Sequence, residues 1–318
     1  LLVTLVATVS AAGEKFRFER PLMGTRFTIV CHADDRVAAG KAAEAAFAIA
    51  TEVNAIASDY LPDSELSQLA AKSANAPVTL SPEFYHLLDH SRRLAEATGG
   101  AFDPTLGTLT NLWRETRDHK LLPDPERLRL ARAASGWRQF SLDPAARTIT
   151  LQRPHIAFDL GGVAKGYAAD LMLESLAAAG ISQAMIVAGG DIRLGDPPPG
   201  REGWRVALQT FDPAQPDEIV TLANAAVSTS GDLHQSVEID GVKYSHILDP
   251  ATGLGLTRRI AASVIASEAK LSDPLATAAC VLGPEAGDAL RKLPGVREVK
   301  IRTLQDSAAR PRFLHPAN

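Results

Sequence analysis

The segment Asp159-Leu160-Gly161-Gly162-Val163-Ala164-Lys165-Gly166 joins residue types that suit an anion. It reads as the mouth of a helix over 163–179, closed by Gly180. A helix N-terminus exposes unpaired N–H groups and the positive end of a dipole. The paired glycines let a ligand approach the backbone, and Lys165 adds a full positive charge one turn in. Together these features suit a phosphate or diphosphate. The spacing is neither a Walker A loop nor the Rossmann glycine pattern. A glycine-lined turn beside a solvated lysine would read the same way, so this motif alone does not decide.

Three further junctions carry candidate chemistry. Asp273 and Thr277, in "LSDPLATAA", are four residues apart and share a face if the segment is helical. A carboxylate and a hydroxyl are hard oxygen ligands of the kind Mg²⁺ accepts. Pro274 predicts that this segment is a first helical turn, with the helix running over about 273–282. The plainer reading makes Asp273 a helix cap and Thr277 a packed residue. His246, in "SHILDPATG", is a candidate general base near neutral pH. "TGGAFDPTLGTLTNLW", Thr98 to Trp113, offers small residues, an aromatic and an acid, suitable for a ligand wall.

The elements that must position these residues can be read from periodicity. "TRFTIVCH" places Phe27, Ile29 and Cys31 on one strand face. Residues 36–57 carry a helical stripe of Phe47, Ile49, Val53 and Ile56. Ser81 and Pro82 open a helix that ends at Gly99. Residues 137–143 and 147–152 flank "DPAA" as a hairpin, and 183–188 is a buried strand. Asp240-Gly241 separates two alternating runs, a strong hairpin signal. Residues 259–267 form another strand, and a short helix and strand close the fold near Ile301. Several hairpins and one clear strand–helix–strand crossover indicate an α+β fold rather than a doubly wound parallel sheet.

The chain has 318 residues, 46% apolar and 22% charged, with a formal charge of -4. That charge argues against a nucleic-acid binder working by counterion release. No apolar run is long enough to predict an internal transmembrane helix. "LLVTLVATVSAA", residues 1–12, reads as the remnant of a secretory signal, with a short buried strand or helix as the alternative. No Cys follows it to take a lipid. Export would permit a disulfide between Cys31 and Cys280; two buried free thiols are the plainer expectation. The tail over 306–318 is expected to be mobile, which leaves 13–305 as the folded domain.

The motifs gain meaning from their order: "PLMGTRF", "DYLPDSELSQL", "GGAFDPTLGTL", "FDLGGVAKGYAAD", "VAGGDIRLG", "AVSTSGD", "SHILDPATG" and "SDPLATAACVLG". This series resembles the ApbE family, the FAD:protein FMN transferases, from about Phe18 to Val299. The resemblance implies mixed or antiparallel sheets flanked by helices, with an FAD cleft between two lobes. It implies a Mg²⁺-dependent enzyme that moves the FMN half of FAD onto a Thr or Ser of a target flavoprotein, releasing AMP. By the same resemblance, Met23, Tyr60, Ala101, Phe102, Asp103, Asp159, Lys165 and Ile247 contact FAD. Gly162, Asp273, Ala276 and Thr277 belong to the metal site, and His246 assists the transfer. The acceptor is expected to be membrane-associated or exported, and the protein periplasmic or on the outer side of the inner membrane. Pro274 stands where the family usually has a small residue, and Ala70 where an Asn is frequent. Two other functions remain open at this level: an FAD pyrophosphatase giving FMN and AMP, and a non-catalytic FAD-binding protein.

Overall fold

Strand β1 (Glu14–Leu22) turns through Met23-Gly24 into β2 (Thr25–Ala33), in register from Glu14↔Ala33 to Leu22↔Thr25. The computed structural model to which they belong describes residues 13–72, 74–208, 217–232 and 236–303. The apolar stretch read as a signal remnant and the tail over 306–318 lie outside the described residues.

Asp35 then caps α1 (Arg36–Ala57), accepting from the Val37 and Ala38 N–H groups. Next come α2 (Glu65–Leu69), β3 (Pro77–Thr79) and α3 (Pro82–Ala97). Ser81 caps α3 through Phe84 N–H and Pro82 takes its first turn, as its sequence requires. Helices α4 (Gly107–His119) and α5 (Pro125–Ala133) precede the hairpin of β4 (Phe140–Asp143) and β5 (Thr148–Leu151). The crossover helix is α6 (Ala164–Ala178), followed by Gly180 at φ +82. It leads to β6 (Ala184–Ala188) and β7 (Asp191–Leu194). The second half holds β8 (Trp204–Leu208), β9 (Glu218–Leu222), β10 (Ala225–Gly231), β11 (Ser236–Ile239) and β12 (Val242–Ser245). The last elements are β13 (Ile260–Ala266), α7 (Ala269–Leu282), α8 (Gly287–Arg291) and β14 (Val296–Thr303).

Seven of these strands form one sheet in the order β1-β2-β6-β7-β10-β13-β14. Every pairing in it is antiparallel. Strand β2, second from one edge of the sheet, is covered on both faces, so its burial over Phe27 to Cys31 is continuous rather than alternating. Phe27, Ile29 and Cys31 join the main core with α1, α6 and α7. Val30 faces the other way, into a smaller core with Trp204, Val206 and Leu208 of the β8–β9 hairpin. Alanines at 39, 42, 43, 46 and 50 make the buried face of α1 flat enough for α6 to pack closely. A third core joins Leu109, Leu112 and Trp113 of α4 to Val237 and Ile239 of β11. Asp240 and Gly241, at φ 50 and 76, make the β11–β12 turn with the dihedral signs that an Asp-Gly hairpin favours.

The plainer expectation for the cysteines holds, and one expectation, the start of the metal-candidate helix, changes. Cys31 and Cys280 are both buried free thiols, so the disulfide does not form. Cys280 Sγ lies 3.4 Å from Ser230 O, its hydrogen-bond acceptor. The metal-candidate helix does not begin at Pro274: α7 starts at Ala269 and carries Pro274 in its interior. The cause is a distant cap. Asp170 of α6 accepts from Ala269 N–H at 2.9 Å and Lys270 N–H at 2.8 Å, moving the helix start a turn upstream. No local sequence signal opposes Pro274 as a helix start, so the local reading placed it there.

Candidate active site

At the mouth of α6, Val163 occupies the capping position without any side-chain cap. The Lys165 side chain folds back over that mouth and donates to Gly161 O at 3.1 Å. Its ammonium lies 3.2 Å from Asp191 Oδ2 and 3.3 Å from Asp273 Oδ2. Asp191 opens β7 after the Gly189-Gly190 turn, and Asp273 comes from the second turn of α7. Both acids are buried, at 3% and 4% exposure. Three elements distant in sequence therefore converge on one cation.

The electrostatics follow from that burial. Burial first, and then the charge of Asp191, push the Asp273 carboxyl well above the usual carboxylate range. Lys165 and the Gly166 N–H oppose this only in part. Burial alone would lower the Lys165 ammonium; Asp191 and Asp273 outweigh it and hold the lysine above its ordinary value. A single positive charge thus serves two desolvated acids, and further positive charge would be stabilised here.

Oxygen donors complete the surroundings. Thr277 Oγ1 lies 3.2 Å from Ser230 Oγ. A Cβ placed on Gly162 would sit 3.7 Å from Thr277 Oγ1, which puts the Gly162 backbone beside that hydroxyl. Among the described residues no group of three or more His, Cys, Asp or Glu gathers. A metal here would rely on carboxylate, hydroxyl and carbonyl oxygens, a hard set that fits Mg²⁺ and does not favour zinc. Ala276 is fully buried in the main core and offers no side-chain donor.

An open cleft of about 910 Å³ includes this centre. It is lined by every site residue expected from the sequence except Ala276. Met23 lies at the tip of the β1–β2 turn with φ 50, an uncommon conformation for a non-glycine residue. Asp159 fixes the entrance to α6: its Oδ1 accepts from Gly161 N–H at 2.8 Å and its Oδ2 from Thr110 Oγ1 at 2.7 Å. The Asp103 carboxylate is occupied by the protein's own donors, Thr105 N–H and Oγ1 and Trp137 N–H, at 2.8, 2.6 and 2.9 Å. Burial still raises its carboxyl above the ordinary range. It holds the 101–105 turn in shape, with Phe102 as the apolar wall. The β11–β12 hairpin delivers His246 and Ile247. Ser245 N–H to Leu256 O at 2.8 Å and Leu256 N–H to Ile247 O at 2.9 Å pin that segment on both sides.

The sequence reading assigned no role to several cleft residues. Asp191 was present in "VAGGDIRLG", where an acid after paired glycines was the available signal. Helix α4 was missed altogether, although Leu109, Leu112, Trp113 and Thr116 recur at helical spacing. From it Arg114 pairs with Asp59 at 2.6 Å and lies 4.2 Å over the Tyr60 ring. That contact steadies an aromatic that is 73% exposed and lines the cleft. Burial, and then Asp159, raise the Asp59 carboxyl, with Arg114 opposing.

Fold and site together define an α+β enzyme whose cleft joins a hard-oxygen, cation-accepting centre to an aromatic ligand wall. The chain belongs to the ApbE family, whose sequence model matches residues 23–299. The FAD:protein FMN transferase of Vibrio cholerae serotype O1 is 32% identical over 303 residues, covering 91% of this chain and 89% of its own. The protein of the same name from Treponema pallidum is 34% identical over 274 residues, covering 80% and 75%. Among solved structures, apo flavinyl transferase ApbE of Pseudomonas stutzeri matches with a TM-score of 0.80 at 30% identity, covering 92% of this chain and 95% of that one. The apbe protein of Thermotoga maritima matches at 0.79 and 29%, covering 91% and 94%.

Proposed function

We propose that this chain is a Mg²⁺-dependent FAD:protein FMN transferase that attaches FMN to a Thr or Ser hydroxyl of an acceptor flavoprotein and releases AMP. The observation that carries the proposal is the Lys165–Asp191–Asp273 centre at the uncapped mouth of α6, opening into the aromatic-lined cleft. The cleft's volume suits a dinucleotide-sized ligand.

Asp273, Thr277 and the Gly162 backbone would hold a bound Mg²⁺, which would supply positive charge to offset that of a diphosphate and of the departing phosphate. Lys165 and the start of α6 orient the phosphates. Met23, Tyr60, Phe102 and Ile247 hold the flavin, and Asp103 and Asp159 hold the walls in place. His246 accepts the proton of the attacking hydroxyl. The hydroxyl oxygen forms a bond to the FMN phosphorus. The bond from that phosphorus to the bridging oxygen breaks, and AMP leaves with the electron pair. The apolar N-terminal stretch supports an exported or membrane-associated acceptor on the outer side of the inner membrane.

The test is mass spectrometric. The protein is incubated with FAD, Mg²⁺ and a Thr-containing flavoprotein domain, and the domain is weighed. A gain of one FMN residue, lost on chelation of the metal, is the expected result. Free FMN and AMP without a gain would make the enzyme a pyrophosphatase. Intact bound FAD with neither product would make it a carrier.

A further inference from the structure

Pro274 poses a problem inside α7. Proline has no N–H, so the helix bond from residue 274 back to the carbonyl of Lys270 cannot form. A carbonyl left without a donor in a half-buried helix is costly. Here it has one from outside the helix: His90 of α3 places Nε2 at 2.9 Å from Lys270 O. A carbonyl only accepts, so Nε2 carries the hydrogen. Burial holds His90 below the ordinary histidine value, which keeps the ring neutral.

We propose that His90 is a positioning residue for the metal site: its Nε2–H replaces the helix bond that Pro274 removes. The two polar groups of the Lys270 backbone are then both held from other helices. Its N–H goes to Asp170 of α6 at 2.8 Å, and its carbonyl to His90 of α3. Asp273 follows less than one turn later, and Thr277 one turn beyond that. Their placement against Lys165 depends on where this first turn sits. His90 touches neither substrate nor metal in this arrangement and acts only through α7. The inference rests on the proposed reading that α7 carries metal ligands, and it adds a residue that the family resemblance did not supply.

The experiment is a double-mutant cycle on the full chain, with His90→Leu, Pro274→Ala and their combination, plus His90→Gln. Two quantities are read: amide hydrogen exchange over 268–282 without metal, and Mg²⁺ affinity by calorimetry without turnover. His90→Leu should speed exchange and weaken Mg²⁺ binding by about tenfold, the change one unmade buried hydrogen bond produces in an equilibrium. His90→Gln keeps an N–H donor and should stay close to the wild type. Pro274→Ala restores the helix's own donor, so the double variant should recover both quantities. Unchanged exchange in His90→Leu overturns the proposal, as does a double variant no better than His90→Leu. If His90→Leu does not fold, a folded double variant supports the proposal and an unfolded one refutes it. If the wild type binds no Mg²⁺, the metal reading of α7 fails separately, and the exchange cycle alone judges His90.

Discussion

Gly166 is the residue at which a single methyl group should do most damage. It lies in the first turns of α6, where glycine costs about 1 kcal/mol relative to alanine. A Cβ there would lie 2.3 Å from Ala269 O, 2.6 Å from Ala269 C and 3.0 Å from Lys270 N. All three are backbone atoms, so no rotamer change relieves the clash. Restoring normal contact needs α6 and α7 to part by about 1 Å. That movement stretches the bonds from Ala269 and Lys270 to Asp170, now 2.9 and 2.8 Å, and the 3.3 Å pair of Lys165 with Asp273. Overpacking of this kind costs about 1–3 kcal/mol. Weakened hydrogen bonds to the buried Asp170 add about 1.5–3 kcal/mol. Alanine's better helix propensity returns about 1 kcal/mol. The net expectation for Gly166→Ala is a loss of about 1.5–5 kcal/mol. Catalytic groups displaced by about 1 Å should also slow FMN transfer by about 10²-fold. Urea unfolding and the mass assay read the two effects. Gly162→Ala is the control for stability, since its Cβ would meet Phe102 and Thr277 at an ordinary 3.7 Å. A Gly166→Ala protein as stable as the wild type, with full turnover, would refute the close-approach argument.

The other expectations concern chemistry and redox state. Asp273→Ala should fold, because Lys165 keeps Asp191 as a partner, yet lose Mg²⁺-dependent turnover; undiminished activity would remove Asp273 from the metal site. His246→Ala should slow transfer by about 10²–10⁴-fold with FAD affinity near normal. If binding is lost instead, His246 is a ligand contact rather than a base. Neither Cys31 nor Cys280 should react with a thiol reagent in the native protein, since both are buried and burial pushes the Cys280 thiol up to about 12. Both should react after denaturation without reductant, and failure to do so would reveal a disulfide.

Local chemistry made much of this protein legible. The α3 start needs only Ser81 and Pro82, and the β11–β12 turn only Asp240-Gly241, because caps and tight turns are decided within a few residues. Helix α4 was harder. Its stripe faces a small separate core built with β11, and its N-terminus has no side-chain cap to announce it. The start of α7 was misplaced for a related reason: the carboxylate that caps it is 100 residues away, so Pro274 was the strongest local signal available.

The candidate site divides along the same line. Residue types and motif order determined by themselves which groups could bind a phosphate, accept a hard cation or take a proton. They also determined the family, since ordered motifs survive as sequence. Only the tertiary structure decided that Asp191 shares Lys165 with Asp273, that Asp103 serves the backbone, and that Ala276 faces the core. Those facts depend on how close α6, α7 and the start of β7 approach one another. That distance is set by a missing Cβ at Gly166 and by the burial of carboxylates that must find partners once water is gone.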